Sequence, residues 1–291
     1  MAENQIPQFP RTEVGGLSLS RMIIGTNWML GFSHTSSAAD ALIRERYQTP
    51  EDFQDILDAY LMYGIDTVMA PISSNPKLIE ALNLCEDRHG RKLIRIDTPN
   101  LFMDNTDEAR RQSEEVVKKS RACGSDLCLI HHSRAEQLVN KNTRTIDRLD
   151  DYTYMIREAG MIPGLSAHMP ELITYTDANG YDIETYISIF NAAGFLMQVE
   201  IEEVAKIIQK AKKPVMNIKS MAAGRLTPFV GLTFNWNVLR PCDMLTLGAF
   251  NAAEVHEDVE ISLAALEHRF PVLGRRSSPA PDQGAFAHNK N

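Results

Sequence analysis

The stretch LCLIHHS, residues 127–133, is followed ten residues on by RTIDRLDDYTYMIREAG, residues 144–160. Four consecutive apolar residues bounded by polar ones read as a strand buried on both faces, and the second stretch reads as an amphipathic helix. A buried strand followed by a covering helix is the unit from which parallel sheets are built. The couplet recurs along the chain. Strand-like runs fall at 21–28, 65–71, 92–99, 127–133, 162–170, 195–202, 214–221 and 244–250. Helical stretches fall between them, at 49–64, 75–90, 106–124, 144–160, about 182–193 and 202–213, and after the last strand at 252–266. The first of these helices carries its own start signal, since Thr49 is a good N-cap and Pro50 suits the first helical position. Eight such strands in a chain of 291 residues fit a single closed (β/α)8 TIM barrel better than an open doubly wound sheet.

Two stretches stand outside the repeat. LGFSHTSSAADALIRERYQ, residues 30–48, is a long polar connection after the first strand, where barrel loops build the active site, and is expected to act as a lid. RRSSPAPDQGAFAHNKN, residues 275–291, has no periodicity and is expected to form a flexible or surface-wrapped tail beside a barrel spanning 1–274.

Composition narrows the class of function. The chain is 44% hydrophobic and 23% charged, with a formal charge of −8. An acidic chain with scattered lysines and arginines has no bulk attraction for nucleic acid or an anionic membrane. No apolar run approaches the roughly 18 residues a membrane span needs. The four cysteines form no CxxC and match no zinc or iron–sulfur spacing, which points to reduced thiols in a cytoplasmic protein. A small-molecule substrate is the expected partner, and a homo-oligomer stays open.

Several segments together resemble the aldo/keto reductases. EVGGLSLSRMIIGTNWMLG (13–31) is similar to that family's first strand. SDLCLIHHS (125–133) is similar to its fourth strand, which ends in a catalytic histidine, here His131. REAGMIPGLSAHMPELI (157–173) resembles its fifth-strand unit, with Gly164 and Ser166 in place. LMQVEIE (196–202) resembles the sixth strand, and the segments 213–228 and 245–259 resemble the last two units. The resemblance implies a barrel that binds NAD(P)H, with Ser166 and Gln198 holding the nicotinamide amide. It also implies Asp, Tyr, Lys and His around a reacting carbonyl, and the departures fall there. Met69 stands at the aspartate, Ser73 or a neighbour at the tyrosine, and Asp97 or Thr98 at the lysine; only His131 matches. Glu254 and Glu257 stand near the last strand, where the family clamps an adenosine phosphate.

Strand alternation then suggests what occupies the altered mouth. It sends Asn27, Asp97, His131, His168, Glu200 and Lys219 inward at the strand ends, and turns His132 away. Asp97, His131, His168 and Glu200 form a set suited to Zn, Mn, Fe or Co. Such an ion would polarise a small carbonyl or sugar-like substrate while Lys219, Asp97 or His131 moves protons, as in an isomerase, epimerase or lyase. His34 in the loop, Trp28 and Asn27 are the expected substrate contacts. The alternatives are an NAD(P)H-dependent reductase with His131 as proton donor, and a non-catalytic binding or assembly subunit.

Overall fold

The structure is a computed structural model that describes residues 6–274; the expected tail, 275–291, lies outside the described residues. Eight parallel strands close into a barrel. In chain order they are Met22–Gly25, Thr67–Ala70, Ile94–Asp97, Leu127–Ile130, Ile162–Ser166, Thr185–Ile189, Val215–Ile218 and Met244–Leu247. Each pairs with its neighbour in sequence, and the eighth closes on the first through Leu245↔Met22. No described helix is long and apolar enough to cross a membrane.

Two sets of apolar side chains follow from alternation along the strands. One fills the barrel: Ile23, Met69, Ile96, Leu127, Leu129, Ile187, Met216 and Met244. The other packs the outer face against the helices and includes Ile24, Val68, Cys128, Ile130, Leu165 and Tyr186. The base of the barrel is plugged by an antiparallel hairpin, Arg11–Val14 with Leu17–Ser20, whose Val14 and Leu19 join the interior set. Gly164 lies where the interior is most crowded. A Cβ there would sit 2.5 Å from the Leu129 Cγ, so only glycine fits.

Helix starts follow the capping signals. Thr106, Ser36 and Asn251 accept backbone N–H groups from Ala109, Ala39 and Glu254 respectively. Thr49 and Asp52 form a capping box around Pro50, opening a 3-10 turn, Pro50–Phe53, that continues as the helix Gln54–Met62. The connection at 30–48 is not wholly irregular: Ser37–Arg46 is a helix, and Ser33 donates to Asp40 Oδ1 at 2.6 Å, fixing the turn that carries His34.

The sixth strand corrects the expected pattern. The helix expected at 182–193 is in fact the strand Thr185–Ile189, and the strand expected at 195–202 is a loop leading into the helix Ile201–Lys210. The helix of this unit is Glu171–Asn179, terminated by Gly180 at φ 71°. TYISI carries β-branched and aromatic residues, all buried, and takes the fully covered place in the sheet. LMQVEI is apolar enough to imitate a strand but follows the true one.

Candidate active site

The mouth of the barrel, at the C-terminal ends of the strands, holds a cavity of about 450 Å³. Active sites of this fold lie at this end. Asn27, Trp28, His34, His131, His168 and Lys219 all line it, as does Ser166 from deeper in the wall. Asn27 and Trp28 come from the one-turn helix Asn27–Leu30 after the first strand, and Trp28 meets Phe250 edge-on at 6.0 Å. His34 comes from the following turn at φ 60°, with Nδ1 3.0 Å from the Phe32 carbonyl.

Asp97, Glu200 and Gln198 are not at this mouth, so the four expected metal ligands are not brought together. Asp97 is one residue out of phase. It lies in register with Ala70 and Cys128, both on the outer face, and is fully buried behind the barrel wall. There the Ser73 amide donates to Oδ1 at 3.4 Å, while Oδ2 has no partner among the described residues. Burial pushes this carboxyl up, against hydrogen bonds from Ser73 and Ser120. Thr98, the next residue, is the one that reaches the cavity. Glu200 and Gln198 lie in the loop after the true sixth strand; both are exposed, and Glu200 merely precedes the helix Ile201–Lys210.

His132 is the opposite correction. Alternation sends it outward, but the strand ends at Ile130 and the chain turns into a short helix, His132–Ala135, so alternation no longer governs it. Its ring stacks on His168 with centroids 3.5 Å apart and planes 14° apart, and lies 4.3 Å from the His131 ring. Glu136, one turn along, ties the arrangement together. Its Oε1 accepts the backbone N–H groups of His168 and Met169 at 2.7 and 2.9 Å, and its Oε2 lies 4.0 Å from His132 Nδ1. Burial pushes the Glu136 carboxyl up, but the His132 side chain and those two amides outweigh it and hold it below the usual range. The legible sequence signal was the i,i+4 spacing of His132 and Glu136.

The electrostatics favour neutral imidazoles. Burial, then the nearby His132, holds His131 down to about 4. Burial and His132 also hold His168 down to about 4, with Lys219 adding to the effect and Glu136 opposing it. Both rings are therefore unprotonated near neutral pH. His131 Nδ1 and the Ser133 hydroxyl share a hydrogen bond of 2.8 Å, and Ser133 reaches Asn100 Oδ1 at 3.2 Å, which leaves His131 Nε2 as the unengaged nitrogen. Lys219 stands on the wall after the seventh strand, at φ 62°, and burial lowers its ammonium.

Strain is concentrated on that wall. Lys219, Ala222 and Ala223 are non-glycine residues in the left-handed region, with φ of 62°, 50° and 52°. Each such residue costs about 1 kcal/mol or more, and such strain gathers where a site must be held in one shape. Ala223→Gly is therefore expected to raise stability by about 1 kcal/mol, seen as a higher urea midpoint. An unchanged or lower midpoint would show that no strain is relieved there.

Two groups bear on this mouth, the dinucleotide that the resemblance implies and the metal that strand alternation suggests. For a dinucleotide, the turn before the last helix is already satisfied. Glu254 Oε2 accepts the Phe250 N–H at 2.8 Å and Asn251 Oδ1 accepts the Glu254 N–H at 2.9 Å, so a cofactor phosphate would meet a carboxylate. Gln198 lies outside the cavity as well, and the carboxylate argues against the 2′-phosphate of NADPH in particular, a group that NADH lacks. For a metal, the in-plane lone pairs of two nearly parallel stacked rings run side by side and do not converge on one ion. The His, Cys, Asp and Glu trio that does converge among the described residues is Asp58, Cys85 and His89, on the outer helices. There the Asp58 carboxylate is already taken by Arg88 and His89, each at 2.7 Å.

Neither a family model nor a curated protein matches the sequence. Solved structures do. A protein assigned to the aldo-keto reductases from Pseudomonas aeruginosa superposes with a TM-score of 0.63 at 14% identity, covering 91% of this chain and 100% of that one. The glycerol dehydrogenase of Gluconobacter oxydans gives 0.58 at 12% identity, covering 93% and 99%. The aldose reductase of Giardia lamblia gives 0.52 at 12% identity, covering 89% and 91%. The chain thus has the closed barrel architecture of the aldo-keto reductases, and identities this low speak for the fold alone.

Proposed function

We propose that this barrel is an enzyme that moves protons on a small hydroxy-carbonyl or sugar-like substrate, as an isomerase, epimerase or lyase. The observation that carries this reading is the stack of His131, His132 and His168 at the mouth, with two of the three rings held neutral by burial. A neutral imidazole is a base at physiological pH. His131 or His168 takes the proton from the carbon bearing a hydroxyl beside the carbonyl. The Lys219 ammonium gives a proton to the oxygen of the resulting enediolate. Return of a proton to the adjacent carbon gives the isomer, and its return to the opposite face of the same carbon gives the epimer. Asn27, Asn100 and Ser166 offer hydrogen bonds to substrate hydroxyls, and Trp28 offers an apolar face to a sugar ring.

This reading replaces metal polarisation with the imidazole and ammonium groups that share the cavity. Reductase chemistry draws support from the fold, whereas the residues around the cavity support proton transfer. The test is incubation with four- to six-carbon aldoses, ketoses and aldonates in D2O, followed by NMR. Enzyme-dependent loss of a carbon-bound proton signal beside the carbonyl or carboxylate is expected. If no substrate in the panel exchanges, while NADH or NADPH is oxidised by any of them, the proposal fails in favour of a reductase.

A further inference from the structure

The chain carries a formal charge of −8, yet among the described residues none that lines the mouth cavity is Asp or Glu. The ionisable groups lining it are Lys219, His34, His131, His132 and His168, all of which are cationic or neutral. Two carboxylates that touch residues of the cavity lining are engaged there. Asp40 takes the Ser33 hydroxyl and amide at 2.6 and 2.7 Å, and Glu136 takes the two amides described above. No salt bridge joins the Lys219 ammonium to a carboxylate among the described residues, and the cavity it lines offers none. A half-buried ammonium without a counter-ion is costly unless a ligand supplies the charge.

From this geometry we infer that the substrate carries an oxyanion, and that Lys219 binds it. This deepens the proton-transfer reading and rests on it for the rest of the substrate. The class that matches the cavity is a small polyhydroxylated carboxylate. Its carboxylate lies on Lys219, and its hydroxyls lie toward Asn27, Asn100 and Ser166. A sugar phosphate has the same oxyanion chemistry. An anion seated on Lys219 also cancels the field by which that lysine disfavours a proton on His168 and His34, making both imidazoles better bases once substrate is bound. The acidic exterior slows encounter with such a ligand, so the site selects it at close range.

Isothermal titration of the full chain with four- to six-carbon aldonates, the matching alditols and the matching sugar phosphates tests this. At least one aldonate is expected to bind ten times or more tighter than its alditol. Lys219→Met is expected to remove that preference, and Lys219→Arg, which keeps the charge, to retain part of it. Thermal melts of both variants separate lost binding from lost folding, and retained binding in a folded Lys219→Arg protein gives a result even if Lys219→Met does not fold. Binding of sugar phosphates alone, abolished in Lys219→Met, supports the oxyanion subsite with phosphate as its source. Equal affinity for aldonate and alditol, no binding by any anion, or an unchanged preference in Lys219→Met would overturn it. Aldonate binding without deuterium exchange would leave the subsite standing and sink the proton-transfer reading. Exchange on neutral aldoses that is indifferent to Lys219 would sink the subsite and the role of Lys219 as acid, and leave proton transfer by the imidazoles standing.

Discussion

His168→Asn is expected to slow solvent-deuterium incorporation about 10²- to 10⁴-fold, the range for losing a positioned general base or acid. The substitution keeps a polar side chain near the size of the imidazole, but it removes both the base and the partner on which His132 stacks. His131→Asn is expected to fall in the same range, because its Nε2 is unengaged at the mouth. The double variant should be little worse than the worse single, since groups acting on one proton are not additive. The pH dependence follows from the cause of the shift. The reactive form of each ring is unprotonated, and burial holds both folded values near 4. The wild-type rate should therefore stay flat from pH 8 down to about 5 and fall only below that, well under the ordinary imidazole value of about 6.5. A rate in either single variant within threefold of wild type would remove that histidine from the mechanism.

Asp258→Asn is expected to stabilise the protein by about 2–4 kcal/mol at pH 7. Asp258 lies on the helix Ala252–Leu266 and is 4% exposed. Burial, with Glu254 and Glu257 nearby, pushes its carboxyl up to about 8. The unfolded chain releases this proton near pH 4 and the folded chain near pH 8, so between those values the folded state binds the extra proton. Stability is complete below about pH 4 and is lost as pH rises toward 8. Asparagine is neutral in both states and removes the loss. Urea titrations at pH 7 and pH 4 check this: a gain at pH 7 that vanishes at pH 4 is expected, and an equal effect at both would assign it to packing.

The fold was legible because its signals are long and repeated. Seven of the eight expected strands overlap barrel strands, and the Thr49–Pro50 start falls where expected. The sixth unit was misread because an apolar loop after a short strand has the same composition as a strand. Its true helix, framed by Pro170 and Gly180, was overlooked. The site was legible where a residue ends a strand or follows it closely, as with His131, Ser166, His168, Lys219 and Asn27. It was illegible where the inward or outward phase turned on a single residue. That single step placed Asp97 inside when it lies outside, and His132 outside when it lies in the cavity. Glu200 and Gln198 failed with the sixth strand. Glu136 was missed because its role is visible only when the loop carrying His168 folds against the helix carrying His132.

The claim at the centre is that mouth imidazoles stand neutral and ready to accept protons. An NMR titration of the ring protons of the eight histidines, assigned with His131→Asn and His168→Asn, measures this without any substrate. The resonances of His131 and His168 are expected to stay unchanged from pH 8 to about 5.5 and to titrate near 4. Titration of both between about pH 6 and 7, as in free histidine, would contradict it.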